Sequence, residues 1–381
     1  MKLLYIANQR MPSEKAYGRQ IVAMCQSFAD LGVEVELVVP ERNNLVKEDL
    51  FDFYSARRNF KFKQISSPDW YWPGRLDKLA FWIKNFISAK RLVRHALAGD
   101  YDVIYSRDEF PIFFLLGQKP VFFEAHKFIK SYGFFYRRFK KNNLKIITIT
   151  HGLKNEFVKN GFRPENILVA PDGVDEEKIK SQSDNPVSQA EARNKLNLPP
   201  YQKIVVYTGS LYKWKGVFVL AETAKLLKEE AIIVAVGGGQ NSDQSELQNY
   251  LDQNKIKNFF ITGYINNHHL IDLYLSAADV LVLPNISGDK VSEFYTSPLK
   301  LFSYMAAKRP IVASDLPSLC EVLNEKNAVL VQPNQAINLA QGVRVILSDP
   351  EKGRLLAQQA FEDVQKHTWQ NRARTILDLM E

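Results

Sequence analysis

The strongest constraint on the fold is an alternation that occurs twice. Short runs of β-branched and apolar residues are separated by stretches of helical length, first over residues 3–150 and again over 204–332. In the first series LLYIA (3–7), VEVELVV (33–39), YDVIYS (101–106), VFFEA (121–125) and KIITIT (145–150) read as strands. In the second, IVVYTG (204–209), AIIVAVGGG (231–239), NFFITG (258–263), DVLVLP (279–284), PIVAS (310–314) and AVLVQ (328–332) do the same. Nearly continuous apolar strands with helices between them predict parallel sheets covered on both faces. Residues 18–31 show the helical half of the pattern: Ile21, Met24, Cys25 and Phe28 share one face, and Gly32 stands at the end. Between 178 and 202 the chain turns polar and ends in Pro-Pro, which reads as a linker holding a short helix near 190–196. The expected fold is therefore α/β, two Rossmann-like lobes facing each other across a cleft, with ligand chemistry at the strand C-termini. The expected boundaries are 1–180, a linker at 181–202, a second lobe at 203–365 and a terminal helix at 366–381. In that helix Trp369, Ala373, Ile376 and Leu377 fall on one face.

Composition narrows the class further. With 381 residues, 46% of them hydrophobic, each lobe can bury its own core, and disorder is excluded. The two cysteines, Cys25 and Cys320, lie in opposite halves and read as reduced thiols, which points to the cytoplasm. No apolar stretch approaches the roughly 20 residues of a membrane span. The opening MKLLYIANQR loses its apolar character at Asn8, so it reads as a buried first strand rather than a signal peptide.

The net charge of +8 sits entirely in residues 1–190, where 30 Lys and Arg face 22 Asp and Glu. It concentrates in Arg75–His95 and Lys127–Lys141, both interleaved with aromatic residues. Such stretches suit an anionic membrane surface, an acidic acceptor or nucleic acid. A solvated helix face with its rings turned inward accounts for them equally well.

Common nucleotide signatures are absent. There is no G-x-x-x-x-G-K-[ST], and Gly237-Gly238-Gly239 is followed by Gln240, Asn241 and Ser242 where a dinucleotide fingerprint needs another glycine. No clustered His and Cys suggest a metal, and no cofactor is expected. Three other turns suit an anion. Thr296-Ser297-Pro298-Leu299-Lys300 opens a helix with a hydroxyl cap and an early proline, and Lys300 adds a charge to the positive helix end. TGSLYKWKG sets Thr208-Gly209 at a strand end and Lys215 before the next helix. NQRMPSEKAYGRQI puts Gly18 at a helix start after the first strand. Each of these alone has an ordinary structural explanation.

Together, IANQRMPSEKAYGRQI, FFEAHKF, ITITHGLKNEFVKNGF with ILVAPDGVD, YTGSLYKWKG, AADVLVLPN and TSPLKLFSYMAAKRPIVASDLPS resemble the retaining glycosyltransferases of family 4, in that family's order. The resemblance implies the two-lobed GT-B fold, with an acceptor on the N-terminal lobe and a nucleotide-diphosphate sugar on the C-terminal lobe. It also implies a terminal helix that crosses back to the N-terminal lobe, and transfer without a bound metal. In such an enzyme the leaving diphosphate would act as the base, so catalysis would consist of positioning and phosphate neutralisation.

Residue by residue, Lys215 matches the lysine that stabilises the departing diphosphate, and the resemblance implies that the Ser297, Pro298 and Leu299 segment would hold the same phosphates. Gly18 would let the N-terminal lobe's backbone approach them without a Cβ. Tyr264 and Ile265, after Gly263, match the segment that contacts the base. His126 matches a histidine facing the transferred sugar or acceptor; His151 also matches a family position but reads as structural.

The departures are specific. The two glutamates of the family's C-terminal signature fall here at Tyr295 and Ser303, and the arginine after the strand glycine, Gly209, is Ser210. Glu293 lies two residues from the first position, and Lys300 restores part of the lost positive charge. These losses leave a second reading open, a degenerate member acting as a binding or scaffolding partner. A nucleotide-sugar epimerase would need carboxylates that the sequence does not place. Nucleic-acid binding would need a stacking module, and none is evident.

Overall fold

The computed structural model describes all residues except 71, 73, 75 and 239–241. Arg75, at the edge of one basic stretch, and the 239–241 part of the glycine-rich turn therefore lie outside the described residues. The chain divides into two units, residues 1–171 with 369–381, and residues 172–368.

The first unit is built on a seven-stranded sheet ordered β3-β2-β1-β4-β5-β6-β7. Its strands are β1 (Lys2–Ile6), β2 (Glu34–Pro40), β3 (Lys61–Ile65), β4 (Val103–Ser106), β5 (Val121–Ala125), β6 (Lys145–Thr148) and β7 (Ile167–Val169). Every pairing is parallel, with Tyr5 opposite both Leu37 and Tyr105. The central strands are buried on both faces, which is why they read as unbroken apolar runs. The helix Ala16–Asp30 follows β1 and buries Ile21, Met24, Cys25 and Phe28, close to the expected span. The terminal helix Trp369–Met380 belongs to this unit and packs on Ala16–Asp30.

The second unit has a six-stranded parallel sheet ordered β10-β9-β8-β11-β12-β13. Its strands are β8 (Ile204–Thr208), β9 (Ile232–Val236), β10 (Phe259–Ile261), β11 (Val280–Leu283), β12 (Ile311–Ser314) and β13 (Val329–Val331). The two faces of this sheet carry separate apolar layers, one around Phe302, Met305 and Phe361, the other around Leu220, Leu247 and Val343. In both sheets the order reverses between the first strand and the fourth, β1 and β4 in one, β8 and β11 in the other. Those reversals open the crevices where α/β sheets bind ligands.

Two strands are missing from the sequence reading. β3 is an edge strand of sequence KFKQI with no buried residue, and β7 is three residues long. The division also falls at 171/172 rather than near 180. The segment read as linker contains the helix Gln189–Lys195, capped by Ser188. Among the described residues no helix is long and apolar enough to cross a membrane.

Candidate active site

In the second unit, three neighbouring strands end in glycine turns: Gly209 after β8, Gly237 and Gly238 after β9, and Gly263 after β10, all at positive φ. The Gly209 amide donates to the Val236 carbonyl at 2.9 Å. A Cβ on Gly237 would lie 2.2 Å from the Gly209 carbonyl oxygen, so only glycine lets these turns meet. Ser210, where the family carries arginine, offers its carbonyl to the Tyr207 hydroxyl at 2.8 Å.

After this turn the chain makes a short 3-10 turn, Lys213–Lys215, closed by Gly216 at φ +79°. A Cβ on Gly216 would sit 1.7 Å from the Pro284 carbonyl oxygen, so the turn is pressed against the end of β11. That contact holds Lys215 at the strand-order reversal. Its ammonium lies 5.3 Å from the Trp214 ring centre and 5.5 Å from that of Tyr212. Burial pushes its pKa down to about 8.

Lys300 enters the same turn from the helix Leu299–Ala306. Its ammonium stands 3.7 Å from the Tyr207 ring centre and 3.8 Å from where a Gly209 Cβ would be. The nitrogen is buried and, among the described residues, makes no hydrogen bond. Burial, and then the charge of Lys215, push its pKa well below the usual lysine range. Among the described residues neither lysine has a carboxylate partner.

The helix start differs from the expected one. Pro298 is the N-cap and no side chain caps the helix. The Ser297 hydroxyl accepts instead from the Asp172 amide at 2.9 Å. Proline has no N–H, so the expected row of Ser297–Leu299 donors lacks its middle member. The helix start leaves the Leu299 and Lys300 amides without intrahelical acceptors.

Other expected residues are engaged in ways the sequence did not indicate. Glu293, on the short helix Lys290–Phe294, accepts from the Gly288 amide at 2.9 Å and so fastens its own loop. Tyr295 ends that helix and is buried. Ile265 packs its side chain on the core, whereas Tyr264 is 44% exposed. Ser303 lies half-buried on the lysine-bearing helix, with a hydroxyl that has no partner among the described residues.

In the first unit, Gly18 has a different reason from the one expected. A Cβ there would lie 2.0 Å from the Tyr54 hydroxyl, which donates to the Ser13 carbonyl and accepts from the Ser13 amide, both at 2.7 Å. Glycine makes room for the tyrosine that anchors the loop after β1, rather than opening that direction to a ligand.

His126 follows β5, and its Nε2 lies 2.5 Å from Glu124 Oε1. Glu124 is fully buried; it also accepts from Gln20 at 2.5 Å and from the Tyr105 hydroxyl, and pairs with Arg372 of the terminal helix at 3.3 Å. Arg107 donates to Gln20 at 2.7 Å. Burial and then Arg107 hold the His126 pKa near 4, against the opposing pull of Glu124, so the ring is neutral at pH 7. Sequence reasoning passed over Glu124, Gln20, Arg107 and Arg372. A signal existed for Arg372, an arginine sharing the apolar face of its helix with Trp369, Ala373 and Ile376. Among the described residues no group of three or more His, Cys, Asp or Glu is arranged to hold a metal ion.

The model of Glycosyltransferase Family 4 matches residues 18–178, and that of Glycosyl transferases group 1 matches residues 188–363. The chain belongs to the family 4 glycosyltransferases. This family member is 28% identical over 199 residues to TuaC of Bacillus subtilis, a putative teichuronic acid biosynthesis glycosyltransferase, and covers 45% of it and 52% of itself. It is 24% identical over 237 residues to WcaI of Escherichia coli, a putative colanic acid biosynthesis glycosyl transferase, covering 54% of it and 58% of itself. It thus spans about half the length of these relatives. Among solved structures, HepE of Anabaena in complex with UDP and glucose superposes with a TM-score of 0.77 at 15% identity, covering 100% of this chain and 99% of that one. Sucrose-phosphate synthase from Thermosynechococcus elongatus superposes at 0.76 and 19% identity, covering 99% of this chain and 98% of that one. These two likenesses show the fold alone, that of the GT-B glycosyltransferases.

Proposed function

We propose that this protein transfers a sugar from a nucleotide-diphosphate sugar to a glycan or lipid-linked acceptor, with retention of anomeric configuration. The observation that carries this reading is the pair Lys215 and Lys300. Both are depressed by burial, Lys300 also by its neighbour, and among the described residues neither has a carboxylate partner. Desolvated like charges are costly until an anion joins them, and a diphosphate supplies that anion. The glycine turns beside them let backbone amides approach phosphate closely.

In the proposed step the bond from the anomeric carbon to the phosphate oxygen breaks, and a bond from that carbon to the acceptor oxygen forms on the same face. The acceptor proton passes to the leaving phosphate. Lys215 and Lys300 stabilise the charge that develops there, and the Leu299 amide adds a donor. Lys300 takes the electrostatic place left empty at Ser210. His126 is neutral, so it orients the transferred sugar or acceptor by hydrogen bonding rather than by charge. Nothing in this step calls for a metal. The HepE complex makes uridine the first base to test, and the names of TuaC and WcaI favour a cell-surface polysaccharide acceptor in the cytoplasm, at the inner membrane face.

The test is incubation with labelled UDP-sugars and membrane-extracted acceptors, with the product anomer read by NMR. A product with the donor's anomeric configuration, lost in K215A, supports the reading. An inverted product overturns retention. Nucleotide binding without any transfer favours the degenerate partner, toward which Tyr295, Ser210 and Ser303 point.

A further inference from the structure

The two basic stretches are separate in sequence but share one aromatic surface in the first unit. Three helices meet there: Leu76–Ala98, Glu109–Leu115 and Gly133–Lys141. Trp82 lies 5.6 Å from Phe110 and 5.7 Å from Tyr132, ring centre to ring centre. Phe110 lies 5.0 Å from Phe135, Phe135 4.9 Å from Phe113, and Phe113 5.4 Å from Phe134. Phe86 joins through Phe114, at 5.6 Å.

The patch is not turned inward. Trp82 is 43% exposed, Phe86 40% and Phe134 68%. A contiguous exposed apolar patch of this kind marks an interaction surface. Its rim is cationic. Lys90 stands 4.7 Å over the Phe86 ring, and Arg138 5.0 Å over that of Phe113. Lys130, Arg137, Lys140 and Lys141 are exposed on the neighbouring turns. Among the described residues none of these six cations is in an ion pair. Asp77 opens the long helix and is exposed, whereas Glu109, on the middle helix, is buried.

We propose that this patch docks the protein on an anionic lipid surface, the rings entering the interfacial layer and the cations meeting headgroup phosphates. A second copy of the same face would set unpaired cations against each other, whereas a lipid layer complements both features at once. This inference rests on the surface alone and does not depend on the nucleotide reading.

The experiment is co-sedimentation of the full chain with vesicles of phosphatidylcholine alone or containing phosphatidylglycerol. Binding to the anionic vesicles only, weakened by salt, is expected. W82Q/F134Q and R137Q/K141Q should each lower the partition coefficient roughly tenfold or more, with melting temperature and nucleotide binding unchanged. Brominated acyl chains should quench wild-type tryptophan fluorescence more than that of W82F, a readout that needs no destabilising variant. Equal recovery with both vesicle types overturns the proposal, as does undiminished binding by both double variants. So does a wild type that ignores vesicles but self-associates through Phe134.

Discussion

Lys215 has its pKa brought to about 8 by burial, and this gives the donor site a pH signature. An anion binds the protonated form better, so nucleotide affinity should fall as pH rises through about 8 and should flatten in K215R, measured by calorimetry between pH 7 and 10. Without ligand the sign reverses. A depressed lysine is protonated more in the unfolded chain between about 8 and 10.5, so stability relative to K215M should rise over that window. Ser303 stands where the family resemblance places a ribose-binding glutamate. A carboxylate hydrogen bond to ribose is worth roughly 1.5–3 kcal/mol, so S303E should tighten nucleotide binding about tenfold. Unchanged affinity would remove this position from the ribose site. Lys215 and Lys300 were legible in the sequence because they sit in recognisable turns. The Tyr54 hydroxyl under Gly18 and the Glu293 bond to Gly288 were not, because each depends on atoms brought together only by the fold.

The alternation of apolar runs with helical stretches made eleven strands readable; β3 escaped because an exposed edge leaves little apolar signal, whereas the three-residue β7 is as apolar as the equally short β10 and β13, which were readable. The glycine turns carry the next prediction. G237A places a Cβ against the Gly209 carbonyl at φ +143°, and should cost about 2 kcal/mol or more in denaturant unfolding. The terminal helix is tied to the strand-end histidine through Arg372 and Glu124. R372M removes the ion-pair partner of buried Glu124, which keeps only its hydrogen bonds to Gln20, Tyr105 and His126, and should cost up to roughly 3–5 kcal/mol, whereas E124Q/R372M should recover much of that loss. His126 adds a pH dependence to this network. Its folded pKa of about 4 lies below the usual 6.5, so its contribution is present above 6.5 and is lost as pH falls toward 4. Comparing H126N with wild type across pH 4–7 isolates it.

For the whole molecule, the sequence carried the existence of two α/β units more firmly than their limits. The division at 171/172 depends on packing that periodicity does not encode, whereas the return of Trp369–Glu381 to the first unit is what the family resemblance implied. The central claim is that the uncompensated Lys215–Lys300 pair is a diphosphate site. Its most direct test is the melting temperature of wild type, K215A and K300A with UDP, GDP, ADP and their sugar conjugates. A nucleotide at about a hundred times its dissociation constant adds roughly 2.7 kcal/mol, a readily measured shift. A diphosphate site at this pair gives a shift with one base, reduced in both variants. No shift with any nucleotide, or one that survives both substitutions, would contradict it.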